Sequence, residues 1–215
     1  MTLSPLNVIL DADAARRIGW SVIDLADACL AGGARFLQVR AKPASSRWLV
    51  DTAAAVVERA HRVGAVVVVN DRADVAAVAR ADGVHVGQDD LSPASVRRVV
   101  GGQAVVGYST HSVDQVERAL DEPISYVAIG PVFETSTKTT GCRPLGLDGV
   151  REAADRARRR GVPVVAIGGI TLERAAAVVA AGASAVAVIS DLLVDADPAR
   201  RVRAYLDRLV VRANV

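Results

Sequence analysis

Short runs of apolar residues recur along the chain, and a longer segment with helical spacing follows each of them. The runs are apolar throughout rather than alternating with polar residues, a pattern typical of strands buried on both faces of a parallel sheet. Segments such as VIDLADACLAGG and LERAAAVVAAG lie between the runs, and their final glycines are typical of helix C-termini. We predict eight strands, at residues 7–12, 36–40, 65–70, 83–87, 104–109, 126–130, 163–168 and 185–190.

The number of strand–helix units predicts the fold. Eight units in 215 residues, with no Pro- or Ser-rich linker, indicate one domain over residues 1–215. The fold class is α/β, and the count favours a single closed (β/α)8 TIM barrel. An open, doubly wound sheet is the alternative, although such sheets usually stop at fewer strands.

Composition narrows the function classes. Hydrophobic residues make up 51% of the chain and the net charge is +2, so we expect a globular protein without the basic stripe of nucleic-acid binders. The sequence has no signal-peptide pattern and no apolar run long enough for a membrane span. Cys29 and Cys142 match neither a metal motif nor a disulfide framework. We therefore expect a cytoplasmic protein with small-molecule partners; association into a homo-oligomer stays open.

Polar residues gather where the predicted strands end. In a (β/α)8 barrel these carboxyl ends open at one mouth, where the active site lies. Seven strands agree in this respect, which is hard to attribute to ordinary loop polarity. The endings are QVRAK after strand 2, VNDR after strand 3, GQDD after strand 4, YSTH after strand 5, GPVFETSTK after strand 6, IGGI after strand 7 and VIS after strand 8.

Two carboxylates in these endings are candidate metal ligands. Asp71 and Asp90 follow the neighbouring strands 3 and 4, so they can converge on one Mg²⁺, which is commonly held by one or two carboxylates and substrate phosphates. Helix capping is the alternative for both residues. The adjacent Asp89 fits a cap or a surface position better.

The loops after strands 7 and 8 predict a phosphate site. Gly168 and Gly169 allow close approach of the backbone to a ligand, and Ile189 and Ser190 follow the next strand. Many barrels bind phosphate here through backbone N–H groups and the start of a helix. A simple tight turn is the alternative.

Lysine is rare in this chain. Only Lys42 and Lys138 occur among 26 basic residues, and both lie in strand-end loops. Because a compact ammonium and a planar guanidinium are not interchangeable, we predict that both lysines join Arg40 in a cationic lining suited to a polyphosphate. Chance retention is the alternative. His85 fits a packed or hydrogen-bonded histidine better than a catalyst.

Together these motifs resemble the thiamine phosphate synthases, from strand 2 to strand 8 in order and spacing. That family joins 4-amino-2-methyl-5-hydroxymethylpyrimidine diphosphate to 4-methyl-5-(2-phosphooxyethyl)thiazole and releases pyrophosphate. The resemblance implies a role for each matching residue. Those for the pyrimidine diphosphate are Gln38, Arg40, Lys42, Asn70, Ser109 and Lys138; those for Mg²⁺ are Asp71 and Asp90; those for the thiazole phosphate are Thr135, Thr137, Gly168 or Gly169, Ile189 and Ser190.

The implied chemistry agrees with the residue types. An aminopyrimidine methylene can lose pyrophosphate to form a delocalised carbocation, so Arg40, Lys42 and Lys138 need only stabilise the leaving group, together with Mg²⁺. This chemistry requires no side-chain nucleophile, and the motifs contain none. Two departures from the family pattern are the first strand, which reads NVILD (7–11), and the loop that carries Cys142.

Two other functions are compatible with the same fold and compete with the synthase assignment. A thiazole tautomerase of the related kind tends to carry His after the strand-6 glycine, where this chain has Pro131. A non-catalytic sensor of a phosphorylated ligand needs only the loops after strands 7 and 8. The complete set of metal and cationic residues argues against both.

Overall fold

The computed structural model describes residues 3–135, 141 and 143–210. Its eight strands are parallel, and each pairs with its sequence neighbour while the last pairs with the first. The predicted closed (β/α)8 barrel is therefore confirmed, and the open sheet is wrong. The strands are β1 (Leu6–Asp11), β2 (Phe36–Arg40), β3 (Val66–Asn70), β4 (Gly83–Val86), β5 (Val105–Thr110), β6 (Tyr126–Ile129), β7 (Val164–Ile167) and β8 (Ala185–Val188).

Helices cover the outside of the barrel in the order expected. A short 3-10 helix follows β8 at Ser190–Leu193. Serine N-caps begin several of the helices, since the side chains of Ser21, Ser45, Ser92 and Ser112 accept from backbone N–H groups. The helices are α1 (Ala12–Arg17), α2 (Val22–Ala31), α3 (Ser46–His61), α4 (Ala73–Val78), α5 (Pro93–Val100), α6 (Val113–Ala119), α7 (Gly146–Arg159), α8 (Leu172–Ala180) and α9 (Pro198–Val210).

Several strands end one or two residues earlier in the structure than the sequence pattern predicts. β7 ends at Ile167 because Gly168 has φ +99°, outside the extended region. β8 ends at Val188, and Ile189 has φ −117° and ψ −83°. Gly168 and Gly169 after β7, and Ile189 and Ser190 after β8, therefore belong to loops at the mouth rather than to the sheet.

Alternation along each strand separates the two parts of the core. In β1, Val8 and Leu10 pack outward against the helices, while Ile9 points to the opposite side, into the barrel lumen. The lumen cluster is otherwise made mainly of small residues such as Ala128, Ala185 and Ala187, with two aromatic rings, Phe36 and Tyr126. Among the described helices, none is both long enough and apolar enough to cross a membrane.

Candidate active site

A cavity of about 50 Å³ lies in the lumen below the mouth. We call it the lumen cavity. Five of the predicted site residues line it: Gln38, Arg40, Asn70, Ser109 and Ile189. His85 and Asn7 line it as well. Asn7 was missed by the sequence reasoning, although a polar residue inside the apolar run LNVIL (6–10) was the available signal.

A hydrogen-bonded chain of three side chains lies at this cavity, and we call it the lumen relay. Tyr126 Oη lies 2.8 Å from His85 Nδ1, and His85 Nε2 lies 2.8 Å from Ser109 Oγ. Complete burial raises the pKa of Tyr126 above the usual range for a phenol, so the hydroxyl stays protonated and available as a donor. Asn7 acts on the Tyr126 phenol and lowers its pKa by a smaller amount, while Asn7 Oδ1 is buried without a hydrogen-bond partner among the described residues.

Gly107 makes room for the lumen relay. A Cβ atom at this position of β5 would lie 2.3 Å from Tyr126 Oη and 2.5 Å from His85 Nδ1. Any side chain larger than hydrogen would therefore separate the phenol from the imidazole. The interpretation of His85 as a hydrogen-bonded histidine is confirmed.

Arg40 is held by a carboxylate from the neighbouring strand. Its guanidinium pairs with Asp11 at the end of β1, and the Asp11 side chain is only 6% exposed. The other oxygen of Asp11 accepts from the N–H of Ala14 at 2.9 Å and so caps α1. The first strand, which departs from the family pattern, thus contributes a residue that orients the cationic lining.

The two candidate metal ligands lie together. The Asp90 carboxylate is close enough to Asp71 to act on its charge, and Lys42 Nζ lies 3.2 Å from Asp71 Oδ2. Burial, and next the charge of Asp90, raise the pKa of Asp71, and Lys42 opposes this shift. Asp71 itself has φ +63°, a conformation uncommon for a non-glycine residue that is often found at functional sites.

The capping alternative for these two aspartates is wrong. The N-cap residue of α4 is Arg72, which makes no side-chain cap, and that of α5 is Ser92. Asp90 Oδ2 instead accepts from the N–H of Gly87 at 2.8 Å. Asp89, as expected, is exposed.

A second, larger cavity of about 260 Å³ lies above β7 and β8, and we call it the phosphate cavity. Five predicted residues line it: Thr135, Gly168, Gly169, Ile189 and Ser190. The two remaining candidates on the strand-6 loop, Thr137 and Lys138, lie outside the described residues, and their predicted roles stay predictions.

The glycines of this cavity are sterically required. A Cβ on Gly168 would lie 2.6 Å from Pro131 Cα, and one on Gly169 would lie 2.4 Å from the Glu134 carbonyl oxygen. Both residues also have positive φ, +99° and +63°. The loop after β7 therefore forms a tight turn that also lines a cavity, so the two interpretations of IGGI are compatible.

Two residues of this cavity were missed in the sequence. Arg174 on α8 donates to the carbonyl oxygen of Gly169 at 3.0 Å, and its guanidinium carbon lies 4.7 Å from the centre of the Phe133 ring. Asp191, after β8, accepts from Leu172 N–H at 3.1 Å and from Tyr205 Oη at 2.5 Å. Neither residue belongs to a strand-end motif, so only the packed loops reveal them.

The sequence profile of the family described as thiamine monophosphate synthase matches residues 6–192. The chain belongs to this family. The thiamine-phosphate synthase of Chloroflexus aurantiacus is 39% identical over 204 residues, which cover 94% of this chain and 92% of the relative. That of Thermus thermophilus is 41% identical over 196 residues, which cover 90% and 93%.

A solved member has the same barrel. The thiamine phosphate pyrophosphorylase from Pyrococcus furiosus superposes with a TM-score of 0.85 at 28% identity, covering 96% of this chain and 95% of that one. The family resemblance stated from the strand-end motifs is thereby confirmed, and so is the barrel. For a thiamine monophosphate synthase of this family, the two cavities are the natural places to look for two substrates.

Proposed function

We propose that the barrel mouth joins the pyrimidine diphosphate to the thiazole phosphate in a Mg²⁺-dependent reaction. The chain is a thiamine-phosphate synthase, a transferase of thiamine biosynthesis, as its family and its relatives at about 40% identity indicate. The observation that supports the arrangement of substrates is that the two cavities adjoin. Ile167, Ala187 and Ile189 line both of them, so two small molecules can lie side by side.

The lumen cavity suits the pyrimidine diphosphate. Its amide side chains, Gln38 and Asn70, offer donors and acceptors to an aminopyrimidine ring. In our proposal, the cations Arg40 and Lys42, with the hydroxyl of Ser109, bind the diphosphate at the rim. Lys138 completes this set from the strand-6 loop.

The phosphate cavity suits the thiazole phosphate. The glycine turn exposes backbone at a place where no Cβ fits, and Ser190 and Thr135 add hydroxyls. We assign the phosphate to this turn, to Ile189 and Ser190, and to the threonines Thr135 and Thr137.

The residues at the ends of β3 and β4 fit Mg²⁺. Asp71 and Asp90 present oxygen ligands, and no third His, Cys, Asp or Glu joins them into a metal cluster within the described ranges. This donor set is typical of Mg²⁺ that shares its coordination with substrate phosphates and water. When bound, the ion would stabilise negative charge on the leaving diphosphate.

The proposed bond changes require no covalent bond between the substrates and the protein. The bond between the pyrimidine methylene carbon and the diphosphate oxygen breaks, and the electron pair leaves with pyrophosphate. The lone pair of the thiazole nitrogen then forms the new bond to that carbon. In our proposal, Arg40, Lys42 and Lys138 stabilise the departing charge, while the adjoining cavities hold the nitrogen and the carbon in line.

The direct test is an assay of the purified protein with both substrates and Mg²⁺. Thiamine phosphate and pyrophosphate should form in equal amounts. A tautomerase would rearrange the thiazole without forming either product. A sensor would bind the thiazole phosphate and turn over nothing. The localisation and the oligomeric state stay predictions.

The metal assignment predicts a specific pair of defects. Asp71→Asn and Asp90→Asn should each lower turnover at limiting Mg²⁺ by at least about 10-fold, since each removes a negative ligand from the ion that stabilises the leaving group. Initial rates measured over a range of Mg²⁺ concentrations test this. Asp89→Asn is the matched control and should behave as wild type. Wild-type rates in both site variants would sink the assignment.

A further inference from the structure

The phosphate cavity contains one cationic side chain among the described residues that line it, and that side chain is Arg174. We propose that Arg174 binds the phosphate of the thiazole substrate and makes the enzyme prefer the phosphorylated thiazole over the free alcohol. This inference rests on the proposed function. It adds a specificity-determining residue that lies on α8, outside every strand-end motif.

The charge of the cavity is the first argument. Besides Arg174, the charged side chains in its described lining are Glu134 and Asp191, both acidic. The other lining residues are glycines, hydroxyl residues and aliphatic residues. A phosphate group carries close to two negative charges near neutral pH, so without Arg174 it would face a lining of like charge.

The N-terminus of α8 is the second argument. Helix N-termini bind phosphate through backbone N–H groups that have no partner within the helix. Here three of these groups already have partners. Leu172 N–H donates to Asp191, and the N–H groups of Arg174 and Ala175 donate to the Thr171 carbonyl oxygen. A side chain is therefore the better source of positive charge at this helix end.

The orientation of Arg174 is the third argument. Its hydrogen bond to the Gly169 carbonyl oxygen and its stacking on Phe133 fix the guanidinium beside the glycine turn. A guanidinium has five N–H donors, and the bond to Gly169 uses one of them. The remaining donors suit the geometry of phosphate oxygens, and a group already held in place loses little freedom on binding.

A purely structural role is the competing explanation. Arg174 joins α8 to the loop after β6, because its guanidinium lies over the Phe133 ring. Phe133 N–H in turn donates to the Gly168 carbonyl oxygen at 3.0 Å, so the same contact also involves the loop after β7. Loss of a structural contact would weaken both forms of the thiazole equally. Loss of a phosphate ligand would weaken only the phosphorylated form.

The test compares Arg174→Gln, Arg174→Lys and, as the matched control, Arg203→Gln. Arg203 is an exposed arginine of α9 that lines neither cavity. Steady-state kinetics use the thiazole phosphate and, separately, the thiazole alcohol. We expect Arg174→Gln to raise the KM for the thiazole phosphate roughly 10-fold or more. The kcat, the KM for the pyrimidine diphosphate and the kcat/KM for the alcohol should change less than about twofold.

The outcomes separate the two proposals. Partial recovery in Arg174→Lys supports a charge-based role. Equal losses for phosphate and alcohol, or an unchanged KM in Arg174→Gln, overturn the inference and leave the proposed function intact. Absence of turnover in the wild type overturns the proposed function instead. Calorimetric binding of the thiazole phosphate to wild type and Arg174→Gln then still tests Arg174, since equal affinities would refute its role.

Discussion

At the scale of single residues, we infer that the lumen relay determines where the Ser109 proton points. The buried Tyr126 phenol keeps its proton, so we expect it to donate to His85 Nδ1 and thereby to select the tautomer with the proton on Nε2. In that tautomer His85 Nε2 donates to Ser109 Oγ, which lies 2.8 Å away. The Ser109 hydroxyl is then free to donate toward the mouth, where an anionic diphosphate would accept it.

Tyr126→Phe tests this orientation. The change removes the donor to His85 Nδ1, so the imidazole can take the other tautomer and Ser109 can turn its proton inward. We expect kcat to fall by about 10-fold, and the free energy of unfolding to fall by about 1–3 kcal/mol because a buried polar atom loses its partner. Kinetics of Tyr126→Phe, Ser109→Ala and the double variant give a mutant cycle.

The cycle separates orientation from general damage. In the Ser109→Ala background, Tyr126→Phe should have almost no further effect on kcat, because the hydroxyl that it orients is gone. Independent, multiplying losses would show that Tyr126 acts through the fold alone.

Sequence reasoning found some of these residues and missed others for a physical reason. Gln38, Arg40, Asn70 and Ser109 were predictable because parallel strands bring their carboxyl ends to one mouth. Asn7, Asp11 and Tyr126 lie within or at the end of strands, and their roles depend on cross-barrel partners that are far away in sequence. No local pattern encodes that Tyr126 meets His85.

At the scale of elements, the carboxylate of Asp191 joins the loop after β8 to two helices. It accepts from the first N–H of α8 and from Arg201 and Tyr205 of α9. The side chains of Asp191 and Arg201 are only 11% and 14% exposed. The arrangement holds the loops after β7 and β8 at a fixed separation, across which the phosphate cavity opens.

Asp191→Asn should therefore be strongly destabilising. It removes the buried carboxylate 2.8 Å from Arg201 and leaves the more exposed Asp195 as the remaining ion-pair partner among the described residues. Breaking a buried pair from one side costs about 3–5 kcal/mol. Urea denaturation measures the change in the free energy of unfolding. Asp195→Asn is the control, because Asp195 is 38% exposed and lies 3.7 Å from the same arginine. It should cost less than about 1 kcal/mol; equal costs for the two variants would contradict this account.

Element boundaries were predictable only within limits. The apolar runs placed every strand, but the predicted ends of β7 and β8 included residues that the backbone turns away from the sheet. The turn at Gly168 is fixed by its closeness to Pro131 on the neighbouring loop. That contact is tertiary, so a single segment of sequence does not reveal it.

At the scale of the whole molecule, the packed layer between strands and helices shields Cys29 completely. The residue is fully buried in α2, and burial raises the pKa of its thiol from 9.0 to about 12. Because the unfolded thiol ionises first, this group stabilises the fold fully below about pH 9. Its contribution is lost as the pH rises from about 9 toward 12.

Reactivity of this thiol reports on the integrity of the barrel. In a Cys142→Ser variant, we expect Cys29 to resist a maleimide reagent at pH 8 and to react at once in urea. The thiolate is the reactive form of cysteine, and burial in the folded barrel keeps Cys29 as the neutral thiol. Mass spectrometry over time measures the labelling. Rapid labelling of the folded variant would show that α2 opens readily.

Closure of the barrel through β1 and β8 also has a consequence during synthesis on the ribosome. Val8 lies opposite Val188 in the register, so β1 waits for one of its two partners until β8 has been translated. At elongation rates of ~5–20 residues per second this interval is on the order of ten seconds or longer. Throughout that time the nascent barrel has an unpaired strand edge, and it closes only after β8 has left the ribosome.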